Sequence, residues 1–216
     1  MPAPIPLTLP GVEEYADACT TPDSEDLLDL ARLTTAEVDR PHMMVGPVEA
    51  RFLQFLLTAL RPARILEIGT YTGYSALSMA QVLPADAHIT TCELNEDFAA
   101  IAAKHFAASP HADKITLEVG PALDTIARLS GKFDFILLDA DQPHFDHYLE
   151  PLTALLSDNG ILAADNTLWS GSVLDESDHR PGADGIRRFN RAVAAHPGLV
   201  SVLLTVRDGL MLIRRK

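Results

Sequence analysis

The sequence predicts an α/β fold of the Rossmann-like, doubly wound type: a mostly parallel sheet with helices on both faces and a C-terminal antiparallel hairpin. From residue 64 to residue 165, short apolar runs alternate with amphipathic segments, which is the pattern of strand–helix–strand units. The last two apolar runs, 199–206 and 210–215, are separated only by "RDG". Such a short connection containing glycine predicts a hairpin rather than a crossover.

The N-terminal part is expected to be irregular first and helical afterwards. Four of the first ten residues are prolines, which lack a backbone donor, so residues 1–23 are predicted to form an irregular arm. Ser24 then begins a helix with acidic residues in its first turn. A second helix contains Pro47 in its first turn, where proline is tolerated. Residues 24–216 are expected to form a single domain.

Five strands and the helices around them follow in alternation. The strands are predicted at 64–69, 88–94, 115–120, 133–139 and 160–165, and the helices at 74–83, 95–109, 121–129, 144–156 and 184–196. Asn95 is expected to cap the second of these helices, because Glu96 and Asp97 follow it in the first turn.

Composition excludes several classes of protein. The net charge of −13, from 30 acidic and 17 basic residues, argues against nucleic-acid binding, which relies on clustered Lys and Arg. Two cysteines, Cys19 and Cys92, fit a reduced compartment better than a disulfide framework. We see neither a signal peptide nor a run approaching about 18 apolar residues, so we expect no membrane segment and a cytoplasmic location.

Oxygen-bearing side chains follow two of the predicted strands. Asp139 and Asp141 come after "FDFILL", and Asp165 and Asn166 come after "GILAA". Burying a carboxylate is costly unless something pairs with it. Ligands of open parallel sheets bind beyond the carboxyl ends of the strands, where these side chains are expected. The pattern therefore predicts a metal site.

The turn "EIGTYTGYS" follows the first predicted strand. Gly69 and Gly73 have a spacing that does not match the dinucleotide fingerprint. Glu67 would oppose a pyrophosphate but attract a cation, and Glu93, which ends the second strand, can accept hydrogen bonds from a ribose. These acids favour a cationic nucleoside such as S-adenosylmethionine. A nicotinamide-dependent oxidoreductase is the alternative that they disfavour.

The sequence resembles the cation-dependent class I O-methyltransferases, which include the catechol and caffeoyl-CoA O-methyltransferases. The matching stretches, from about residue 33 onward, are "MMVGPVEARFL", "ILEIGTYTGYSALSMA", "FDFILLDAD", "DNTLWSG", "IRRFN" and "DGLMLIRRK". The resemblance implies an enzyme that transfers a methyl group from S-adenosylmethionine, with metal assistance, to a hydroxyl of a catechol-like small molecule. It also implies a homodimer.

The same resemblance assigns roles to individual residues. The implied contacts with S-adenosylmethionine are Val45, Glu67, Gly69, Thr70, Ser75, Glu93, Ala122 and Asp139. The implied metal ligands are Asp139, Asp165 and Asn166, an all-oxygen set that suits a hard cation such as Mg²⁺, Mn²⁺ or Ca²⁺. Trp169 and Met43 would edge the substrate pocket, with ordinary packing as the alternative. The polar stretch "SVLDESDHRPGAD" is interpreted as a loop that selects the substrate.

One position departs from the family pattern. Family members usually carry a lysine directly after "DAD", assigned as the base, whereas this chain has Gln142. An amide cannot act as a base near neutral pH. Three explanations stay open: the metal alone acidifies the substrate, Asp141 or His144 replaces the lysine, or the protein binds the cofactor with weak or lost activity on catechols.

Overall fold

The structure is a computed structural model that describes residues 8–216. Contacts between residues divide the described chain into two compact units, residues 14–129 and residues 8–13 with 130–216. The part of the expected N-terminal arm that falls on residues 1–7 lies outside the described residues.

The expectation of an irregular arm over residues 1–23 is wrong for part of that range, because helix α1 occupies Val12–Cys19. The prolines that suggested the arm stop at Pro10 and resume at Pro22. The stretch between them, "VEEYADAC", has two glutamates near its start, where the helix dipole favours negative charge. Helix α1 buries none of its residues.

The unit of residues 14–129 contains a three-stranded parallel sheet in the order β3-β2-β1. Its elements are α2 Glu25–Glu37, α3 Pro47–Leu60, β1 Arg64–Ile68, α4 Tyr74–Ala80, β2 His88–Glu93, α5 Glu96–Ala108, β3 Ile115–Val119 and α6 Ala122–Arg128. The predicted cap of α5 is confirmed: Asn95 Oδ1 accepts hydrogen bonds from the backbone of Asp97 at 2.9 Å and Phe98 at 3.1 Å. Ser24 precedes α2, but its side chain makes no capping hydrogen bond to the helix backbone.

Residues 41–60 are long and apolar enough to cross a membrane by length and composition only, contrary to our expectation that no run comes close. Within them, α3 has 14 residues and is about 21 Å long at 1.5 Å per residue. The hydrocarbon core of a bilayer is about 30 Å thick. Leu53 of α3 is buried, and Gln54 Nε2 donates to the carbonyl of Ser78 at 2.8 Å. One face of the helix therefore packs against the rest of its unit.

The second unit contains the remaining four strands, in the order β4-β5-β7-β6. Its elements are β4 Phe133–Leu138, a 3₁₀ helix at Gln142–Tyr148, α7 Leu149–Leu155, β5 Leu156–Ala164, a 3₁₀ helix at Trp169–Leu174, α8 Pro181–Ala195, β6 Leu199–Leu204 and β7 Leu210–Arg215. Strands β4 and β5 are parallel, and β7 runs antiparallel to both β5 and β6.

The predicted fold class is confirmed. Within each unit the strands joined by helices are parallel, and the second unit ends in an antiparallel hairpin. One helix differs from its prediction: the segment expected at 144–156 begins as a 3₁₀ helix at Gln142, and His144 has non-helical φ and ψ angles. Pro143 and Pro151 each lack a backbone donor, so an unbroken α-helix across this stretch would lose hydrogen bonds.

Candidate active site

A chain of hydrogen bonds surrounds Glu67, which is fully buried in β1. Thr91 is its partner in the parallel register with β2 and donates from Oγ1 to Glu67 Oε2 at 2.5 Å. The hydroxyls of Thr70 and Thr91 are also 2.5 Å apart, so Thr70 donates to Thr91. Ser75 makes a further side-chain hydrogen bond to Glu67. The hydroxyls of Thr91 and Ser75 therefore bind the buried carboxylate directly, and Thr70 of the turn is linked to it through Thr91.

The other oxygen of this carboxylate has no protein partner. Within residues 8–216, Glu67 Oε1 is buried and makes no hydrogen bond. Burial raises the pKa of Glu67 to about 7, and the neighbouring negative charge of Glu93 also raises it. A buried acceptor without a donor is unfavourable. A ligand that brings a cation or an N–H group would remove this cost.

Glu93 lies at the carboxyl end of β2 and joins two segments. Its Oε2 accepts from the backbone of Tyr71 at 2.6 Å, and its Oε1 accepts from the backbone of Asn95 at 2.9 Å. Burial raises the pKa of Glu93 above its usual value, while these hydrogen bonds oppose the shift. The carboxylate is thereby fixed beside the turn that follows β1.

That turn requires glycine at two points. Gly69 and Gly73 have φ angles of 104° and 97°, which other residues adopt with strain. A Cβ at Gly73 would lie 2.7 Å from the Phe106 ring. The backbone amides of Gly69 and Thr70 both donate to the carbonyl of Cys92, at 3.0 and 3.1 Å. The turn thus stays close to the end of β2.

The other predicted cofactor and pocket residues in residues 14–129 belong to other elements of this unit. Val45 is buried in the same apolar cluster as Tyr74, the residue before Ser75. Ala122 begins α6, two residues beyond Gly120 at the end of β3. Met43 is 44% exposed and ends a 3₁₀ helix ahead of α3. Their roles in binding stay predictions.

The predicted metal ligands are brought together in the second unit. Strands β4 and β5 pair Leu138 with Ala164, so the residues that follow, Asp139 and Asp165, are neighbours. Asn166 Nδ2 donates to Asp139 Oδ1 at 2.8 Å, and the Asn166 backbone donates to Asp165 Oδ1 at 2.6 Å. Asp165 is only 5% exposed. One buried carboxylate, one partly buried carboxylate and one partly buried amide therefore lie side by side.

This donor set fits a hard divalent cation. The described part of the chain contains no group of three or more His, Cys, Asp or Glu residues arranged to hold a metal, and the present set has only two acids. Its third member, Asn166, has an amide oxygen that rotation of the side chain would turn toward the carboxylates. Oxygen donors of this kind suit Mg²⁺, Mn²⁺ or Ca²⁺ rather than zinc.

Sequence reasoning missed Asp208, which lies near this cluster. Burial is the main cause that raises the pKa of Asp208; the backbone hydrogen bond from Ser170 opposes this shift, and the negative charge of Asp165 adds to it. The carboxylate accepts from the backbone of Ser170, and the carbonyl of Asp208 accepts from Leu168 at 2.8 Å. In the sequence Asp208 is only the middle of the "RDG" turn. The predicted hairpin could have indicated its position. Because β7 runs antiparallel to β5, the residues just before β7 lie near the carboxyl end of β5, where Asp165 is.

The segment after β4 holds the residues considered as bases. Gln142 is partly buried and begins the 3₁₀ helix. His144 Nδ1 lies 2.5 Å from Asp141 Oδ2, and both side chains are more than half exposed. An acid that binds one imidazole nitrogen fixes the orientation of the ring and leaves the other nitrogen available. The structure thus places an Asp–His pair beside the position of the missing lysine.

Trp169 packs against the beginning of α8. A Cβ at Gly182 would lie 2.7 Å from the indole ring, so the ring covers this glycine. Trp169 has a φ angle of 48°, and Ser170 and Gly171 after it are also in the left-handed region. The indole is partly buried, which supports its packing role. Its predicted contact with substrate stays a prediction.

Comparisons with known proteins place these features in context. The sequence model described as O-methyltransferase matches residues 17–216. A catechol O-methyltransferase of Niastella koreensis is 33% identical over 184 residues, covering 83% of this chain and 83% of the relative. Caffeoyl-CoA O-methyltransferase 1 of Eucalyptus globulus is 35% identical over 184 residues, covering 80% of this chain and 75% of the relative.

Solved structures agree with the sequence comparison. An O-methyltransferase from Bacillus cereus, crystallised in complex with SAH, superposes with a TM-score of 0.87 at 29% identity. The match covers 95% of this chain and 97% of the bacterial one. The similarity therefore extends over nearly the whole of both proteins.

Proposed function

Because the chain belongs to the O-methyltransferase family and is an S-adenosylmethionine-dependent enzyme, we propose that it methylates a catechol-like small molecule with the help of a divalent cation. The methyl group goes to one hydroxyl of a vicinal dihydroxy aromatic. Mg²⁺ is the cation that we propose, with Mn²⁺ and Ca²⁺ as alternatives.

The observation that carries this proposal is the convergence of Asp139, Asp165 and Asn166. These side chains come from the ends of two adjacent parallel strands and contact one another through hydrogen bonds. Adjacent carboxylates repel each other when both are ionised, and a bound cation or a shared proton relieves that repulsion. A divalent cation would supply that charge, and adjacent hydroxyls of a substrate would complete its oxygen coordination.

The cation, when bound, would lower the pKa of a coordinated hydroxyl and hold it in a fixed orientation. The chain's own contribution is to position the donors. Asn166 adopts a left-handed conformation, with φ of 59°, that places its side chain on Asp139 while its backbone N–H faces Asp165. The three side chains are therefore oriented relative to one another within one unit.

The cluster around Glu67 supports the use of S-adenosylmethionine. The cofactor supplies a methyl group on a sulfonium centre, and it carries an ammonium group and a ribose diol. Glu67 Oε1, buried without a hydrogen-bond partner in the described structure, can accept from a cationic donor. Glu93, which backbone N–H groups fix beside the same turn, presents a carboxylate that can accept from a ribose diol.

In this chain the substrate proton must be removed without the family's lysine, because Gln142 occupies that position. Gln142 can donate and accept hydrogen bonds and can orient a hydroxyl, but it cannot take the proton. His144 can take one on the nitrogen that does not face Asp141. The alternative function, a cofactor-binding protein with weak or lost activity on catechols, follows if neither the metal nor His144 replaces the lysine.

The test is methylation of a small panel of substrates with purified protein and S-adenosylmethionine. We expect product from catechol and caffeic acid with Mg²⁺, none after EDTA, and recovery when Mg²⁺ is added in excess. Phenol, which has one hydroxyl, is the matched control and should give no product. Equal rates with Mg²⁺ and with EDTA would refute the metal requirement. Binding of S-adenosylhomocysteine without product from any diol would favour the alternative function.

We also propose that the protein is a homodimer in the cytoplasm. Helix α1 buries none of its residues and exposes Tyr15 to 74%, which supports an additional contact on this helix. Cys19 is a free, exposed thiol, which suits a reducing compartment. Light scattering after size exclusion would test the dimer, and fractionation of the source cells would test the location.

A further inference from the structure

A single buried arginine holds the polar segment that follows the proposed metal ligands. Arg187 of α8 is 7% exposed. Its Nη1 donates to the carbonyls of Ser172 at 3.0 Å and Asp175 at 2.8 Å. Its Nη2 donates to the carbonyl of Asp178 and, at 2.7 Å, to Asp184 Oδ1. Three of these four acceptors are main-chain oxygens of segment 172–178.

The segment has little regular structure of its own. The 3₁₀ helix ends at Leu174, and turns and bends follow it before α8 begins. Residues 174–177 are exposed, so apolar packing contributes little to fixing them. A guanidinium that binds three carbonyls spread over seven residues can fix such a segment, because its donors have a rigid planar geometry.

The same helix also holds the chain between the ligands and this segment. Asn190, three residues after Arg187, donates from Nδ2 to the carbonyl of Thr167 at 2.8 Å. Thr167 directly follows Asn166, and its backbone N–H and hydroxyl both bind the carbonyl of Gly209. Helix α8 therefore fixes the chain from the metal ligands as far as segment 172–178.

We propose that Arg187 is a positioning residue that fixes segment 172–178 and thereby determines which diols the site accepts. This inference rests on the proposed function, because the substrate is placed by the ligand cluster six residues ahead of the segment. A substrate whose hydroxyls reach Asp165 and Asn166 lies beside the chain that continues from these ligands into segment 172–178. Arg187 binds the main chain of that segment, whereas the exposed Arg180 binds only the side chains of Ser172 and Asp178.

A lysine cannot reproduce these contacts. Its single ammonium has three donors around one nitrogen, whereas the two terminal nitrogens of Arg187 bind acceptors on Ser172, Asp175, Asp178 and Asp184. Arg187→Lys keeps the positive charge beside Asp184 and is the milder variant. Arg187→Met keeps the length of the side chain and removes every donor. Comparing the two variants distinguishes the effect of the positive charge from the effect of the hydrogen-bond geometry.

Arg191 offers a matched control on the same helix. Its guanidinium lies 3.7 Å from Glu176 of the same segment, but both side chains are more than two-thirds exposed. An exposed pair of this kind contributes little. We expect Arg191→Met to leave both the segment and the kinetics unchanged.

The first measurement is hydrogen–deuterium exchange of backbone amides 172–178 in protein without substrate. We expect exchange to be about tenfold faster in Arg187→Lys and faster still in Arg187→Met. The second is the dissociation constant of 4-nitrocatechol, whose absorbance reports binding without turnover, with Mn²⁺ and S-adenosylhomocysteine present. We expect it to rise about tenfold in Arg187→Lys. The dissociation constant of S-adenosylhomocysteine should stay within about twofold.

Unchanged exchange in folded Arg187→Lys would overturn the proposal, as would faster exchange with unchanged 4-nitrocatechol binding. Equal weakening of 4-nitrocatechol and S-adenosylhomocysteine would indicate a general structural role and would overturn it as well. If Arg187→Met does not fold, the exchange and binding measurements on Arg187→Lys alone test the proposal. Failure of the proposed function looks different: wild-type protein would bind 4-nitrocatechol but methylate no diol, or would bind none.

Discussion

Gly185 of α8 lies against the main chain of Gln142. A Cβ at Gly185 would lie 2.1 Å from the Gln142 carbonyl oxygen and 2.9 Å from the carbonyl carbon of Pro143. No side chain can give way there, because the atoms on the other side are backbone. The helix that holds segment 172–178 therefore also sets the position of the residue that replaces the family lysine.

We predict that Gly185→Ala destabilises the protein. Replacing glycine by alanine inside a helix stabilises it by about 1 kcal/mol when space allows. Here overpacking against a backbone oxygen costs about 3 kcal/mol, so the expected net loss is about 2 kcal/mol. For a chain of this size that loss lowers the melting temperature by about 4–8 °C, measurable by thermal unfolding.

Gly198→Ala is the control for that substitution. Its Cβ would meet only the His196 side chain, 3.2 Å away at Cε1. Since that ring can move, the melting temperature should change by less than about 2 °C. A rise in melting temperature for Gly185→Ala would show that α8 does not contact the Gln142 segment as described.

Asp139→Ala should weaken metal binding and abolish methyl transfer while the protein stays folded. Asp139 supplies one of the two carboxylates of the proposed site, and Asn166 loses a hydrogen-bond acceptor. We expect at least a tenfold weaker Mn²⁺ affinity in titration calorimetry. Asp158→Ala is the control, because Asp158 is a fully exposed acid paired with Arg215. Equal Mn²⁺ affinity in wild type and Asp139→Ala would refute the ligand assignment.

Local patterns were sufficient for most of the fold. The alternation of apolar runs and helical segments predicted the succession of strands and helices along the chain, and Asn95 was identifiable as a cap from the acids after it. The neighbourhood of Asp139 and Asp165 also followed from the sequence, since strands joined by one helix are usually adjacent. The same reasoning failed for α1, where prolines on both sides of a short helix dominated the prediction.

The parts of the site that the sequence did not reveal depend on register and on long-range contacts. Thr91 binds Glu67 because the parallel register of β1 and β2 pairs them, and nothing in "HITTCE" indicates that register. Asp208 approaches Asp165 only after the hairpin has returned to β5. The role of Arg187 in the "IRRFN" motif could not be predicted from the sequence. Its acceptors in segment 172–178 are main-chain oxygens, which every residue type provides.

Gln142→Lys should raise the rate on simple catechols. A lysine at this position would add a group that can accept a proton after losing its own, which an amide cannot do. We expect kcat for catechol to rise about tenfold at pH 8–9, less than the roughly 10²–10⁴-fold that a well-positioned general base supplies. Steady-state rates across pH 6–9 provide the measurement, with Gln142→Met as the uncharged control. A flat or lower rate would show that the missing base does not limit turnover.

Glu67→Gln should change how stability depends on pH. The pKa of Glu67 is about 7 in the folded protein against an ordinary 4.5. The folded state therefore holds a proton that the unfolded chain has lost between those values, so stability falls as pH rises from about 4.5 to 7. A difference of about 2.5 pKa units corresponds to at most about 3 kcal/mol. Glutamine does not ionise in this pH range, so the Glu67→Gln variant does not lose this part of the free energy of unfolding.

Urea unfolding without cofactor, at pH 5 and pH 8, measures the effect. Relative to wild type, Glu67→Gln should gain stability between pH 5 and pH 8, because only wild type must bury a charge at the higher pH, next to Glu93. Glu96→Gln, which alters an exposed acid in the first turn of α5, should show no such gain. If the difference between wild type and Glu67→Gln were the same at both pH values, the carboxyl of Glu67 would already be charged throughout this range. It would then act as a permanent anion toward the cofactor rather than as one that protonates near neutral pH.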